Sequence, residues 1–548
     1  MSRIDYTILI DKVTQEVKSI ADDKVQGIIT SLLNLIEALV AENNELRSEN
    51  QRLRDEVNHL KGEQGKPSIR KQTKPNKNHS SEEERKKRNK DKSQRKKAKK
   101  KGKITKIRFE ICSIDKKQLP TDAVFKGYQS VVIQDIIIKT DNIEFKKETY
   151  YSPSHKKTFI APLPTGYQGT FGPTIRALII SLYYDLKMTE SNIHKFFTDH
   201  GILISMGSIS NFLINNQEEF HQEKRAIVMA GLTATNYQQM DDTSARVCGK
   251  NHYAHILCNE FYTAYFTRRY KDRLTIIEIL TQDDMMFTFN EHTYSLMKEM
   301  GISNKMLNKV NARCSETNMN RQAIDIILNE FFPDQHKQLT NQRIILEASA
   351  IVAYQALPYA VTLLLTDDAP QYNKITPYHP LCWIHDGRHY KKLEPVCFVH
   401  REQIDNYLKR YWEYYDKLLD YKLFPSPTLA LALKNEFDIL FSTKTEYEKL
   451  DERISKTRSN KDQLLLVLDH PHLPLHNNDS ELGAREQSRR RDISFHTMSQ
   501  EGTQAKDTFM TIAKTSKKLA VNFYRYVCDR ISKKYEMPSL DSLIVQLS

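Results

Sequence analysis

Residues 359–372 read YAVTLLLTDDAPQY. A continuous apolar run closed by two acids is the pattern of a strand buried on both faces, with Asp367 and Asp368 at its carboxyl end. Open α/β sheets place their ligands at that end. Upstream, TNYQQMDDTSARV (235–247), NHYAHILCN and YTAYFTRRY are three extended runs separated by turn-like polar residues. They predict a β-meander whose first strand ends at Asp241 and Asp242. Neighbours along a strand point to opposite faces, so one acid of each pair can serve a common site. The alternative is that these acids only end strands or cap turns.

A third carboxylate follows in LHNNDSELGAR (475–485), where Glu481 has Asn478 three residues before it and Arg485 four residues after. On a helix these side chains share a face. Two strand-end aspartates and one helical glutamate make a candidate carboxylate triad for Mg²⁺, which takes oxygen ligands and leaves positions to water and phosphate. Two such ions roughly 4 Å apart serve in-line phosphoryl transfer. Glu481 has a competing reading, because Asn478 at the N-cap and Glu481 at the third helical position form a capping box. The run Arg489, Arg490 and Arg491 directly behind it suits phosphate contact.

A chain of 548 residues is too long for one core, and 16 glycines with 28% charged residues favour helix-rich domains. The apolar run at 177–184 is far shorter than the roughly 20 residues of a membrane span. The N-terminus does not read as a secretory signal, and the seven scattered cysteines form no C-x-x-C pair. A cytoplasmic, nucleoid-associated protein without membrane contact or structural zinc is expected. The formal charge of +13 is concentrated between Lys66 and Lys103, where 18 Lys/Arg face four acids. With few apolar residues this segment is expected to be a disordered tether giving salt-sensitive contact to DNA.

Before the tether, Leu32, Leu39, Leu46, Leu53 and Leu60 recur every seven residues, with Asn43 and Asn50 among the a positions. Leu at d and Asn at a favour a parallel two-stranded coil. Glu42, Glu49 and Glu56 at g match Arg47, Arg54 and Lys61 at e, so a homodimer is expected. From Ile104 onward, ITKIRFEIC, QSVVIQDIIIKT and IEFKKETYYS read as strands of a small module. Thr189 before ESNIHKFF, and Ser205 or Ser208 before ISNFLINN, mark two helix starts around a glycine-containing turn, the layout of a helix-turn-helix.

These blocks, in this order, resemble the DDE transposases of the insertion-sequence-66 type. The coil NNELRSENQRLRDEV, DDT (241–243), LLLTDDAPQY, CWIH (382–385), NDSELGAR (478–485) and RRDISFHTMSQEG (490–502) carry the resemblance, which covers nearly the whole chain. It implies an RNase H-like catalytic core with Asp241, Asp367 and Glu481 as catalytic metal ligands. Two Mg²⁺ are implied, with Mn²⁺ able to substitute. His385, Arg388, Asn478, Arg485 and Arg489 to Arg491 would be DNA contacts, and Trp383 packing. The partners implied are the element's terminal inverted repeats, target DNA, a second copy, higher-order assembly on DNA and accessory proteins of the element. The chain departs from the family at Leu482 and Gly387, which stand where arginines are usual, and holds only Cys112 where a zinc module is common.

The expected fold is thus a helix-rich α/β multidomain chain. It comprises an amphipathic segment (1–24), a parallel coiled coil (25–61), the tether (62–103), a small β module (104–170) and a helix-turn-helix (171–225). An RNase H-like core (226–530) follows, with helical insertions near 281–345 and 396–470, and then a tail (531–548). Two functions fit: a dimeric transposase performing two-metal strand cleavage and strand transfer, or an inactive or repurposed relative that only binds DNA as a dimer.

Overall fold

The computed structural model describes residues 22–60, 109–115, 120, 122–133, 135–167, 169–282, 284–334 and 338–548. The N-terminal segment as far as residue 21 and the basic tether lie outside them. The heptad region forms one 38-residue helix, α1 (Asp23–Leu60). Its leucine seam is half exposed, with Leu32 at 52% and Leu39 at 56%. A different face, carrying Leu33 and Glu37, is buried against the chain's own C-terminal half. By length and composition α1 is apolar enough to cross a membrane, which the reading of the 177–184 run overlooked. Glu37 sits within that stretch and is buried in protein.

The small β module is mostly not sheet. Among the described residues before Thr149 no strand is paired, and Ile111, Val131, Ile133 and Ile136 to Ile138 are exposed. Only the hairpin β1 (Thr149–Ser152) with β2 (Lys157–Ile160) forms. A helical region follows: α2 (Pro173–Ile180) with a π-turn behind it, α3 (Glu190–Asp199), α4 (Met206–Ile214) and α5 (Glu218–Ala234). The predicted caps are present: Thr189 Oγ1 accepts from Asn192 N, and Ser205 Oγ from Ser208 N. The turn between α3 and α4 passes through Gly201 at φ +77°, where a Cβ would be strained.

The sheet then begins. β3 (Tyr237–Val247), β4 (Lys250–Cys258) and β5 (Thr263–Arg268) form the predicted antiparallel meander. β3 does not stop at Asp241 and Asp242 but runs on to Val247. A first insertion holds α6 (Arg273–Leu280), β6 (Phe287–Phe289), α7 (Glu291–Glu299), α8 (Asn304–Cys314), β7 (Thr317–Met319), α9 (Arg321–Phe331) and α10 (Leu339–Gln355). Phe287, Met297, Val310 and Ile324 join the same core as Met240 and Leu257, so this part extends the main body.

β8 (Leu363–Leu365) pairs in parallel with β3, giving the order β5-β4-β3-β8. Parallel bridges from Leu363 to Tyr378 and from Thr366 to Leu381 lay one more extended segment beyond β8. From there α11 (Trp383–Lys391) leads into the second insertion: α12 (Phe398–Leu423), α13 (Pro427–Leu440), α14 (Glu448–Ser459), α15 (Lys461–Leu464) and α16 (Leu466–Asp469). This unit has its own aromatic core around Trp383, Tyr411, Tyr414, Phe437 and Phe441. The chain returns to the sheet with α17 (Asn478–Ser494) and α18 (Gln500–Lys518), then α19 (Phe523–Ile531). The expected tail contains a further helix, α20 (Leu540–Leu547), whose Leu540 and Ile544 are fully buried in the main core.

Candidate carboxylate site

The register fixes which acids meet. Gln239 pairs with Leu365 in parallel, and two residues further along both chains stand Asp241 and Asp367. Residues at matching parallel positions share a sheet face at about one interstrand spacing, ~5 Å. Asp241 also pairs across β4 with Ile256. Gly483 of α17 packs so closely there that a Cβ would come within 2.7 Å of Ile256 Cγ2. This close approach seats α17 on the Asp241 face, and Glu481 of that helix lies near enough for its charge to act on Asp241. Thr243 repeats the pattern, with its hydroxyl 3.5 Å from that of Ser488.

Asp242 points to the other face. Its carboxylate accepts from Gln371 Nε2 at 3.2 Å and lies 3.6 Å from Lys271 Nζ. Asp368 is also claimed elsewhere. His389 Nε2 lies 3.4 Å away, and that hydrogen bond holds its carboxyl down at about 2. The structure therefore gathers Asp241, Asp367 and Glu481.

Burial pushes the Asp241 carboxyl up to about 7, and the charges of Asp367, Asp242 and Glu481 push the same way. Asp367 is raised as well, first by burial, with the amide of Ala369 and the charge of His385 opposing. Carboxylates held together against their own repulsion in a half-dry site suit a divalent cation, and oxygen-only donors suit Mg²⁺ or Mn²⁺. The residues fit the group.

Glu481 is not a capping residue. Helix α17 begins after Asn477 with no side-chain cap, which removes the capping-box alternative. The carboxylate instead accepts from Arg388 Nη1 at 2.9 Å and Nη2 at 3.1 Å, and from Arg485 Nη2 at 3.2 Å. His385 Nε2 is 3.6 Å away. Three cationic or imidazole groups of α11 face the acids, His385 and Arg388 toward Glu481 and His389 toward Asp368, while Lys391 lies over the Trp412 ring. The opposite face of α11 is locked into the second insertion by Trp383, by Asp386 bonded to Arg453, Thr457 and Tyr411, and by Gly387. A Cβ at Gly387 would sit 2.5 Å from Trp412, so no arginine fits there.

His385 is held below its ordinary range by burial, with the Arg388 charge adding to that and Glu481 and Asp367 opposing. That shift favours the neutral imidazole over the cation. Trp383 is buried packing, as expected.

The expected phosphate contacts divide. Arg485 and Arg489 are exposed on α17. Arg491 donates to the Ser244 carbonyl and hydroxyl of β3. Arg490 is buried, stacked at 3.9 Å on Tyr183 and bonded to its carbonyl. That guanidinium holds α17 to the π-turn behind α2 and is withdrawn from the set of DNA contacts. Asn478 is buried at the start of α17, so it shapes the helix entry.

One polar cluster was missed in the sequence. Glu37, Cys397 and His400 are buried with their ligand-type atoms within 4.8 Å of one another. Both Glu37 oxygens accept from Val396 N, and Oε1 also accepts from Cys397 N, at the start of α12. The positive end of a helix already compensates this carboxylate and repels a cation, so the cluster is an anionic helix cap. No local signal marks it, because Glu37 and its partners stand 359 to 363 residues apart.

No known family profile matches the chain. An uncharacterized protein of Sinorhizobium fredii, y4jO, is 29% identical over 307 residues, a stretch covering 55% of this chain and 94% of that protein.

Proposed function

We propose that the protein is a DDE-type DNA transposase that binds the ends of its element as a dimer and cleaves and joins DNA strands. The observation that carries this reading is the convergence of Asp241, Asp367 and Glu481 from β3, the end of β8 and α17. The meander with a parallel fourth strand beside its first supports the RNase H-like core that the resemblance implies. The α3–α4 pair supports an end-recognition module, and the exposed leucine seam of α1 supports a parallel homodimer.

In this reading Asp241, Asp367 and Glu481 would hold two Mg²⁺, which when bound would supply the charge that activates an oxygen nucleophile and stabilises the leaving oxygen. The sheet fixes the two aspartates, and Gly483 seats the helix that carries the glutamate on that sheet. His385, whose Nε2 lies 3.6 Å from Glu481, orients groups beside that carboxylate. Arg485 and Arg489 line the solvent side of α17 and neutralise the DNA phosphates.

A second reading, a dimeric DNA-binding protein without chemistry, draws on one observation: Arg388 and Arg485 already occupy the Glu481 carboxylate. The deciding experiment compares wild type with Glu481→Gln on a labelled duplex carrying the element's end, with Mg²⁺ or Mn²⁺. Metal-dependent joining lost in the variant supports the transposase. Tight binding with no nicking by either protein supports the second reading. Equal cutting by both removes Glu481 from the site.

A further inference from the structure

We propose that Arg388 is a stand-in cation for Glu481, neutralising the carboxylate while no divalent ion is bound and releasing it when one arrives. This rests on the triad reading above. The three acids are not treated alike. Asp241 accepts from the backbone N–H of Asp242, and Asp367 from that of Ala369. Glu481 instead receives a two-pronged guanidinium from Arg388, with Arg485 adding a third bond.

The two sides of that pair differ in freedom. The Glu481 side chain is 10% exposed and cannot retreat, because α17 is pinned at Gly483 against Ile256. The Arg388 side chain is 38% exposed at the open edge of α11. Its helix is held from behind by Trp383, Asp386 and Gly387, so the guanidinium can turn to solvent without moving any element. A fixed carboxylate with a swinging cation is an arrangement built for exchange. The forked geometry matches a carboxylate and equally a phosphate, so the released side chain remains useful in the loaded site.

An occupied carboxylate taxes the affinity of any competing cation by the fraction of molecules in which it is free. Mn²⁺ binding to the full chain, read by electron paramagnetic resonance, measures that tax in wild type, Arg388→Met, Arg388→Lys and Asp241→Asn. Arg388→Met is expected to bind Mn²⁺ roughly tenfold tighter than wild type, as removal of a competitor that holds about nine molecules in ten requires. In EDTA it melts roughly 2–4 °C lower, since buried Glu481 loses two of its three guanidinium bonds and keeps only that from Arg485, and saturating Mn²⁺ restores the wild-type transition. Arg388→Lys, a single-point cation, falls between.

If Arg388→Met and Arg388→Lys bind Mn²⁺ no more tightly than wild type, or if Mn²⁺ fails to restore the melt, Arg388 is a permanent structural partner and the inference is overturned. If wild type binds Mn²⁺ and Asp241→Asn binds it equally, the triad reading itself falls. Absence of binding by every protein overturns both.

Discussion

Two buried glutamates, Glu37 and Glu481, are 4% and 8% exposed and come from opposite ends of the sequence. Glu37 is held by main-chain amides: Val396 N at 2.7 and 3.0 Å and Cys397 N at 2.8 Å, with His400 Nδ1 at 3.3 Å. Burial alone would raise its carboxyl, yet the bonds from His400, Cys397 and Val396 hold it below the usual range. Glu481 is held by side chains. Main-chain donors at a helix start cannot rotate away, whereas a guanidinium on a long stem can. The first arrangement fastens α1 to the second insertion, and the second leaves a carboxylate available for exchange.

The largest expected effect falls on the exchangeable acid. Glu481→Gln or Asp241→Asn should lower metal-dependent strand cleavage by at least about a hundredfold, because each removes a charge the ions require. Melting should move little for Glu481→Gln, since Arg388 can turn to water. Steady-state nicking and a thermal melt of the same preparations check both halves. A Glu481→Gln protein that nicks normally but unfolds early would erase the contrast with Glu37.

Glu37→Gln comes next. The amide places an N–H₂ against backbone N–H groups, and a buried donor left unsatisfied costs about 1–3 kcal/mol. That cost falls on the docking of α1. Val396 and Cys397 amides should lose hydrogen-exchange protection while the triad keeps its metal affinity. Unchanged protection in the variant would mean that Leu33 and its neighbours hold the helix without the carboxylate.

Glu223 sharpens the comparison from a third side. It accepts a hydrogen bond from the Tyr526 hydroxyl, a side-chain donor rather than a main-chain amide. Burial lifts its carboxyl to about 7, with Tyr526 and Arg530 opposing. The folded state therefore favours the protonated form, and its stabilising contribution declines as pH rises from 4.5 to about 7. Glu223→Gln should remove that decline and gain roughly 1–3 kcal/mol at pH 8 relative to wild type. Chemical denaturation of both proteins at pH 5 and pH 8 measures the difference.

Much of the sheet was legible because its signals are local. The apolar run before Asp367, the meander and the caps Thr189 and Ser205 are each written within a dozen residues. The three acids of the candidate site were named from the sequence, and the parallel register explains why Asp241 and Asp367 share a face. What was not legible depends on distant partners. Whether Arg490 faces DNA or Tyr183 is set by a residue 307 positions away. Local alternation promised strands across 104–148, yet the described part of that stretch finds no pairing partner, and pairing rather than propensity makes a sheet. Leu540 and Ile544 read as a tail because their spacing says nothing of the groove against α5 that receives them. Glu37 was hidden for a further reason: a glutamate on a heptad helix ordinarily reads as a solvated flank.

The smallest expected effect tests the face assignment at its most sensitive point, the neighbouring acids Asp241 and Asp242. They differ by one position on β3 and thus by a whole face. Asp242→Asn keeps an oxygen to accept from Gln371 and loses only its charge toward Lys271, whose side chain is 49% exposed. Ion pairs of that exposure contribute about 0–1 kcal/mol. Mn²⁺ affinity and strand cleavage should therefore change by less than about fivefold in Asp242→Asn, against near-complete loss in Asp241→Asn. A reversal of the two would mean that the bound metals draw β3 into another register, with Asp242 turned inward. That would require breaking the pairing of Asp241 with Ile256, and with it the seat of Gly483 on the sheet. Because the same contact positions Glu481, the triad could not survive such a shift, so this one-residue comparison bears on all three acids.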